Sequence, residues 1–253
     1  MGWESVILLG ALIFLAALLY SSVGHGGGSG YLAAMALFSL APEQMKPTAL
    51  SLNIFVSSIA LYQFSRAGSV PWKLLAPFVA LSIPMAFVGG AVQLPPVYYG
   101  PLVSAALFFA AWRLLARVWA NRTSKGAPPV EEVRPAPMWA AAGSGGAIGL
   151  LSGLTGVGGG IFLSPLLMFM RWADVRSAAG AASAFILVNS IAGLLGHVTS
   201  TVSLPAMIPV WALCAVAGGL IGSYRGSRKN SNDVTRALLA LVLIVAGAKM
   251  MLV

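Results

Sequence analysis

Charge is what this chain has least of. Only 8% of its 253 residues are charged, six Asp and Glu stand against 15 Lys and Arg, and 58% are apolar. That leaves too little polar surface to coat a water-soluble globule of this length, so the chain reads as membrane-embedded. Cysteine is nearly missing as well. The single Cys214 excludes a disulfide framework and, with only two histidines, a Cys/His metal cluster, so neither metal nor cofactor is expected. Cys214 itself is expected as a small packed residue. No basic face interleaved with aromatics occurs, which argues against nucleic acid despite a net charge of +9. Contact of scattered cations with anionic lipid headgroups explains that charge.

The apolar residues come in runs of the ~20 residues that span a hydrocarbon core. Six such runs lie at about Met45 to Phe64, Leu74 to Val92, Pro101 to Trp119, Ser177 to Gly196, Leu204 to Ser223 and Val234 to Val253. Two composite segments, Ser5 to Leu40 and Met138 to Trp172, are too long for one helix and are split by glycines. Met1-Gly2-Trp3-Glu4 carries no basic residue, so Ser5 to Tyr20 is expected as mature structure rather than a signal peptide. Residues 121–137 contain Pro128, Pro129, Pro135 and Pro137 among charges and read as a tether. The chain thus divides into a first membrane repeat at 1–120, a cytoplasmic linker at 121–137 and a second repeat at 138–253.

Basic residues set the sidedness. Arg66 and Lys73, the linker, Arg171 and Arg176, and Arg225 to Arg236 mark four basic turns, whereas Gln93 to Gly100 and His197 to Leu204 carry no charge. The positive-inside rule puts the first four in the cytoplasm and the last two outside. Lys46 and Lys249 fall outside this scheme, and His197 reads as an interfacial residue. Trp3, Trp72, Trp119, Trp139 and Trp172 stand near span ends as interfacial anchors, with Trp112 and Trp211 deeper.

An offset of 132 residues superimposes Gly26 on Gly158, Leu18 on Leu150, Ser51 on Ser183, Ile54 on Ile186, Ser58 on Ser190, Pro77 on Pro209 and Gly90 on Gly222. The chain is an internal duplication without gaps. Under this offset basic turns fall on bare ones, so the halves are expected to be inverted in the membrane, as in many secondary transporters. The expected architecture is all-α: two inverted repeats, each a Gly-broken helical hairpin plus three transmembrane helices, with both termini outside.

Gly24 to Gly30 and Thr155 to Gly160 interrupt the composite segments at equivalent places. Backbone that leaves the helix at membrane depth is tolerated only where protein or a water-filled cavity satisfies it. A helix restarting after Gly28 and again after Gly160 offers bare amides at its positive end, which suits a small anion. The candidate binding residues are His25, Gly26, Gly27, Gly28, Ser29, Thr155, Gly158, Gly159 and Gly160, joined by Asn53, Ser57, Asn189 and Ser190 from the helices that follow. Close helix packing is the competing explanation of the G-x-x-x-G pairs Gly26 to Gly30, Gly145 to Gly149, Gly149 to Gly153 and Gly156 to Gly160, but contiguous triplets break helices. The polar residues have their own bland reading, hydrogen bonding between helices.

The run Gly156-Val157-Gly158-Gly159-Gly160-Ile161-Phe162-Leu163-Ser164-Pro165, its degenerate copy at Gly24 to Gly30 and the two-repeat layout resemble the TauE/SafE sulfite exporter family, also called toluene sulfonate uptake permeases. The resemblance implies transport of a small sulfur-containing anion, such as sulfite, sulfoacetate or another sulfonate, across the bacterial inner membrane. This chain departs from the pattern at His25, where a small or apolar residue is usual. An inside-negative potential of 100 mV is worth about 2.3 kcal/mol per charge, so export of a monoanion needs no coupling ion. All six acids lie at expected turns or edges, which leaves His25 as the intramembrane titrating group. An anion channel on the same fold is the first alternative. The second is an intramembrane serine protease using Ser29 with His25 or His197, since Gly27-Gly28-Ser29-Gly30 matches G-x-S-G. Membrane lipids are partners in any case, and a homodimer stays open.

Overall fold

The computed structural model describes residues 2–123, 133–200, 206–227 and 233–252. The middle of the expected linker, 124–132, lies outside the described residues, as do 201–205 and 228–232 in two expected turns. Among the described residues the regular structure is helical: α1 Trp3–Ser21, α2 Gly28–Leu37, α3 Pro42–Arg66, α4 Trp72–Ala91, α5 Pro96–Thr123, α6 Met138–Thr155, α7 Gly160–Phe169, α8 Val175–Ser200, α9 Ile208–Gly226 and α10 Asp233–Leu252. Six of these, α1, α3, α4, α5, α8 and α9, contain segments long and apolar enough to cross a membrane. Five match runs expected from the sequence. The sixth, α1, is the first leg of a composite segment, so the glycines do not sit at the tip of two equal half-helices. A crossing-length helix comes first, a glycine stretch turns the chain back, and a helix of ten residues, about 15 Å, follows.

Glycine stripes bring the long helices together. A Cβ on Gly145, Gly149 or Gly153 of α6 would collide with the carbonyls of Phe78, Ser82 and Ala86 on α4. On α9, Gly218, Gly222 and Gly226 stand in the same relation to Phe14, Leu18 and Ser22. Contacts that advance together along both chains make α6 parallel to α4 and α9 parallel to α1. Without a hydrophobic drive between helices in lipid, dispersion contact at this backbone distance holds such pairs. The packing reading of Gly145, Gly149 and Gly153 is therefore correct.

α3 and α8 occupy the centre. Lys46, at the start of α3, donates to the carbonyls of Gly90 (2.9 Å) and Val92 (2.8 Å) at the end of α4. Gly180, near the start of α8, abuts Ser69 and Val70 just before α4 begins. The N-termini of α3 and α8 thus lie at opposite ends of the bundle. The basic turns gather at one end: the Arg134 amide donates to the Arg171 carbonyl at 2.8 Å, and a cavity there is bordered by Lys73, Arg134 and Asp174.

The exterior is apolar, with Trp3, Trp72, Trp119 and Trp139 exposed as expected of anchors. Trp172 is a correction. It is 7% exposed and packs edge-on against Phe78, with ring centroids 5.9 Å apart, because its turn folds under α4. Of the two deeper tryptophans, Trp211 is buried in the bundle and Trp112 is 60% exposed on the outer surface of α5. Cys214 packs against Gly10.

Substituting Gly149 by Leu should force α6 off α4. Expected is a loss of at least about 2 kcal/mol of stability, typical of overpacking, read as a lower midpoint for surviving monodisperse protein after heating in detergent. Gly143→Leu, on the same helix with nothing within 4 Å, should leave that midpoint nearly unchanged.

Candidate functional site

The two glycine stretches approach the middle of the bundle from opposite ends. Gly24, with φ +77°, lies against Ala179 near the start of α8, and Gly156, with φ +82°, lies against Lys46 near the start of α3. Each stretch then runs inward, and both reach the same two side chains. A Cβ on Gly26 would lie 2.7 Å from Asn53 Oδ1 and 3.1 Å from Ile186; one on Gly158 would lie 2.8 Å from Asn53 Nδ2 and 2.9 Å from Ile186. Asn53 on α3 and Ile186 on α8 therefore form facing walls, and only glycine leaves room between them.

The loops also touch each other. Gly28 abuts the Val157 carbonyl, and His25 Nε2 lies 3.1 Å from the Gly160 carbonyl. These two contacts exchange under the 132-residue offset, because position 28 corresponds to 160 and position 25 to 157. Asn53 Nδ2 completes the junction with bonds to the carbonyls of Gly156 (3.4 Å) and Val157 (3.3 Å). His25, which the second half replaces with Val157, thus acts as a bridge between the loops.

Backbone amides converge here. In the first loop Val23 and His25 donate to Tyr20 and Gly24 donates to Ser21, and helical bonding resumes only with Tyr31 to Gly27. In the second, Gly156 donates to Ser152 and Val157 to Thr155 Oγ1, and bonding resumes with Phe162 to Gly159. The amides of Gly28 and Gly160 fall between these sets, at the starts of α2 and α7, where the helix dipoles are positive. Gly27 (φ +110°), Gly158 (φ +90°) and Gly159 (φ +81°) take left-handed conformations that let the chain turn there. Two buried polar atoms in the same region have no hydrogen-bond partner: Asn53 Oδ1 and Ser190 Oγ. Ser190 Oγ lies 3.4 Å from where a Gly158 Cβ would stand.

Not every candidate residue reaches this junction. Ser57 donates to the Asn53 carbonyl on its own helix. Thr155 Oγ1 donates to Leu151 at 2.7 Å while accepting from Val157, so it caps the end of α6. Asn189 Oδ1 accepts from Ser82 Oγ at 2.8 Å and ties α8 to α4. Ser29 Oγ donates to Tyr20 Oη at 2.9 Å, and His25 Nε2 lies 3.1 Å from the Gly160 carbonyl. Gly159 faces Phe185 and Ile148 rather than Asn53.

Four residues at or near the site escaped the sequence reading. Tyr31 Oη donates to the Gly26 carbonyl at 2.6 Å and Tyr20 receives Ser29, so two buried phenols brace the first loop. Their flanking positions around the glycines were a usable signal, because a buried tyrosine hydroxyl seeks a partner. Ile186 carried no signal, being apolar among apolar residues. Lys46 did: a charge inside an apolar span marks a site by default, and it is 6% exposed, close to Gly156. His197, expected at the interface, is 3% exposed. It lies on the last turns of α8, which continues to Ser200 instead of ending at Gly196.

The family model for the sulfite exporter TauE/SafE matches residues 9–250. A probable membrane transporter protein of Sinorhizobium fredii, y4hK, is 39% identical over 243 residues, covering 96% of this chain and 97% of the relative. Another, MJ0441 of Methanocaldococcus jannaschii, is 24% identical over 272 residues, covering 99% and 98%. No solved structure matches the chain. With the family model and a full-length relative agreeing on a chain whose glycine-broken hairpins meet at its centre, this protein belongs to the TauE/SafE sulfite exporter family and is a multi-pass membrane transporter.

Proposed function

We propose that the protein exports a small sulfur oxyanion, sulfite or an organic sulfonate, across the inner membrane, binding it where the two glycine loops meet. The observation that carries this reading is the meeting of the two loops between α3 and α8: Gly28 lies against Asn53, Gly158 against Asn53 and Ser190, and Gly160 against Ile186, beside the partnerless Asn53 Oδ1 and Ser190 Oγ. Amide dipoles and a spare hydroxyl are neutral donors. They hold an anion without the strong ion pair that would keep it from leaving.

The two halves are read as inverted repeats related by a pseudo-two-fold axis in the membrane plane. Support comes from the reciprocal contacts at 28/157 and 25/160 and from loops that arrive from opposite ends. Such a pair alternately exposes one central site by small movements of either half. Asn53 opposite Ile186 breaks the symmetry of the cradle, with one polar and one apolar wall. That pairing fits a ligand having a charged oxygen face and an organic or lone-pair face, as a sulfonate or sulfite has.

Replacing Asn53 by Leu removes both bonds to the second loop, each worth about 1 kcal/mol net. Its sulfite kcat/KM in proteoliposomes should fall at least about tenfold while folded yield stays normal; an unchanged value would sink the central site. In the same assay Gly159→Val should lose flux and Ser29→Ala should keep it, and saturation with counterflow should separate a carrier from an anion channel. The reverse pattern of the two variants favours the protease alternative.

Export driven by voltage alone predicts a second outcome. An inside-negative diffusion potential of 100 mV should drive monoanion efflux toward a gradient of roughly fiftyfold, from about 2.3 kcal/mol per charge. The flux should need neither sodium nor a proton gradient. A strict requirement for either ion overturns uncoupled export.

A further inference from the structure

Beyond the central junction, the end of the bundle opposite the basic turns holds a cavity of about 270 Å³. Its lining descends from exposed Glu43 and Gln93 to buried Lys46, Tyr99 and His197. The floor adjoins the outer end of the second loop. Tyr99 Oη donates to the Thr155 carbonyl at 3.1 Å, and Gly156 lies directly against Lys46. Along α3 the step from Lys46 to Asn53 is two helical turns, about 10 Å.

Lys46 is the unusual element. Its ammonium donates to two neutral carbonyls, Gly90 and Val92, at the end of α4. The negative end of that helix makes burial of the cation tolerable, but the carbonyls do not neutralise it, and a third N–H remains. A buried charge is normally paired. Glu43 shares the cavity but stands at its exposed rim, where water screens it, whereas the lysine is 6% exposed. At about 30 Å³ for each water, 270 Å³ is room enough for a small oxyanion with several waters.

We propose that this cavity is a second anion-binding site, an outer subsite that takes the sulfonate or sulfate-like end of a small oxyanion, with Lys46 supplying the charge and Tyr99 and His197 the walls. The site stands on its own geometry; that its occupant is the transported anion on its way from the central junction rests on the reading above. The subsite is one-sided. Under the 132-residue offset Lys46 corresponds to Ala178, so the opposite mouth has no counterpart at that position.

Cysteine labelling tests the subsite without relying on transport. In a Cys214→Ser background, Gln93→Cys places a thiol at the cavity mouth. A methanethiosulfonate reagent with a sulfonate tail should label it about fivefold faster than one with a trimethylammonium tail, by local electrostatic attraction. Lys46→Gln should bring the two rates within twofold, and Glu43→Gln should widen the gap. Methanesulfonate should slow labelling where sodium gluconate of equal ionic strength does not. If Lys46→Gln fails to yield monodisperse protein, the Glu43→Gln ratio and methanesulfonate protection still decide. Rates blind to reagent charge, or no protection by methanesulfonate, overturn the subsite. Charge-selective labelling without any sulfite or sulfonate flux would overturn the transport reading and leave the subsite standing; normal flux with charge-blind labelling would do the reverse.

Discussion

The structure turns on the need of backbone amides and carbonyls for partners wherever the chain leaves its helices inside a membrane. Both glycine stretches do so, and much of what surrounds them answers that need. Asn53 takes the carbonyls of Gly156 and Val157, Tyr31 takes that of Gly26, and His25 lies on that of Gly160. Carbonyls are served first. The starts of α2 and α7, the positive ends of their helix dipoles, lie at the junction.

Around this junction the helices divide by how they are held. The pairs α4 with α6 and α1 with α9 are locked backbone to backbone by glycine stripes, which leaves little freedom to slide. α3 and α8 carry the side chains that reach the loops, and each is fastened near its start by a cation at opposite ends of the bundle. Lys46 holds the end of α4, and Arg176 donates to the Ser227 carbonyl just past α9 at 2.8 Å. Both bonds place a positive charge at a helix C-terminus, where the macrodipole favours it. Polar fastenings of this kind exchange more readily than interdigitated backbones.

Much of the fold was legible in the residues. Five of the six crossing-length helices follow from apolar runs, and the junction was legible from glycine triplets, because triplets break helices at any depth. Asn53 and Ser190 stood out as polar residues in apolar spans. Less legible was the depth of the loops: α1 runs a full membrane thickness before turning, which no local pattern of apolar residues distinguishes from a half-helix. Lys46 falls outside the sidedness scheme, although a cation in an apolar span is itself a signal.

Membrane residence, the duplication and the places where helices must break were set by composition and by glycine's lack of a side chain, properties each residue carries by itself. Which polar groups satisfy one another was decided only when distant segments met. Ser57 spends its hydroxyl on its own helix and Thr155 on its own cap, while Tyr31, Lys46 and the apolar Ile186 come to lie against the glycine loops. Hydrogen bonding and exclusion of a Cβ depend on distances of a few ångströms between residues more than a hundred positions apart, and those distances exist only in the folded chain.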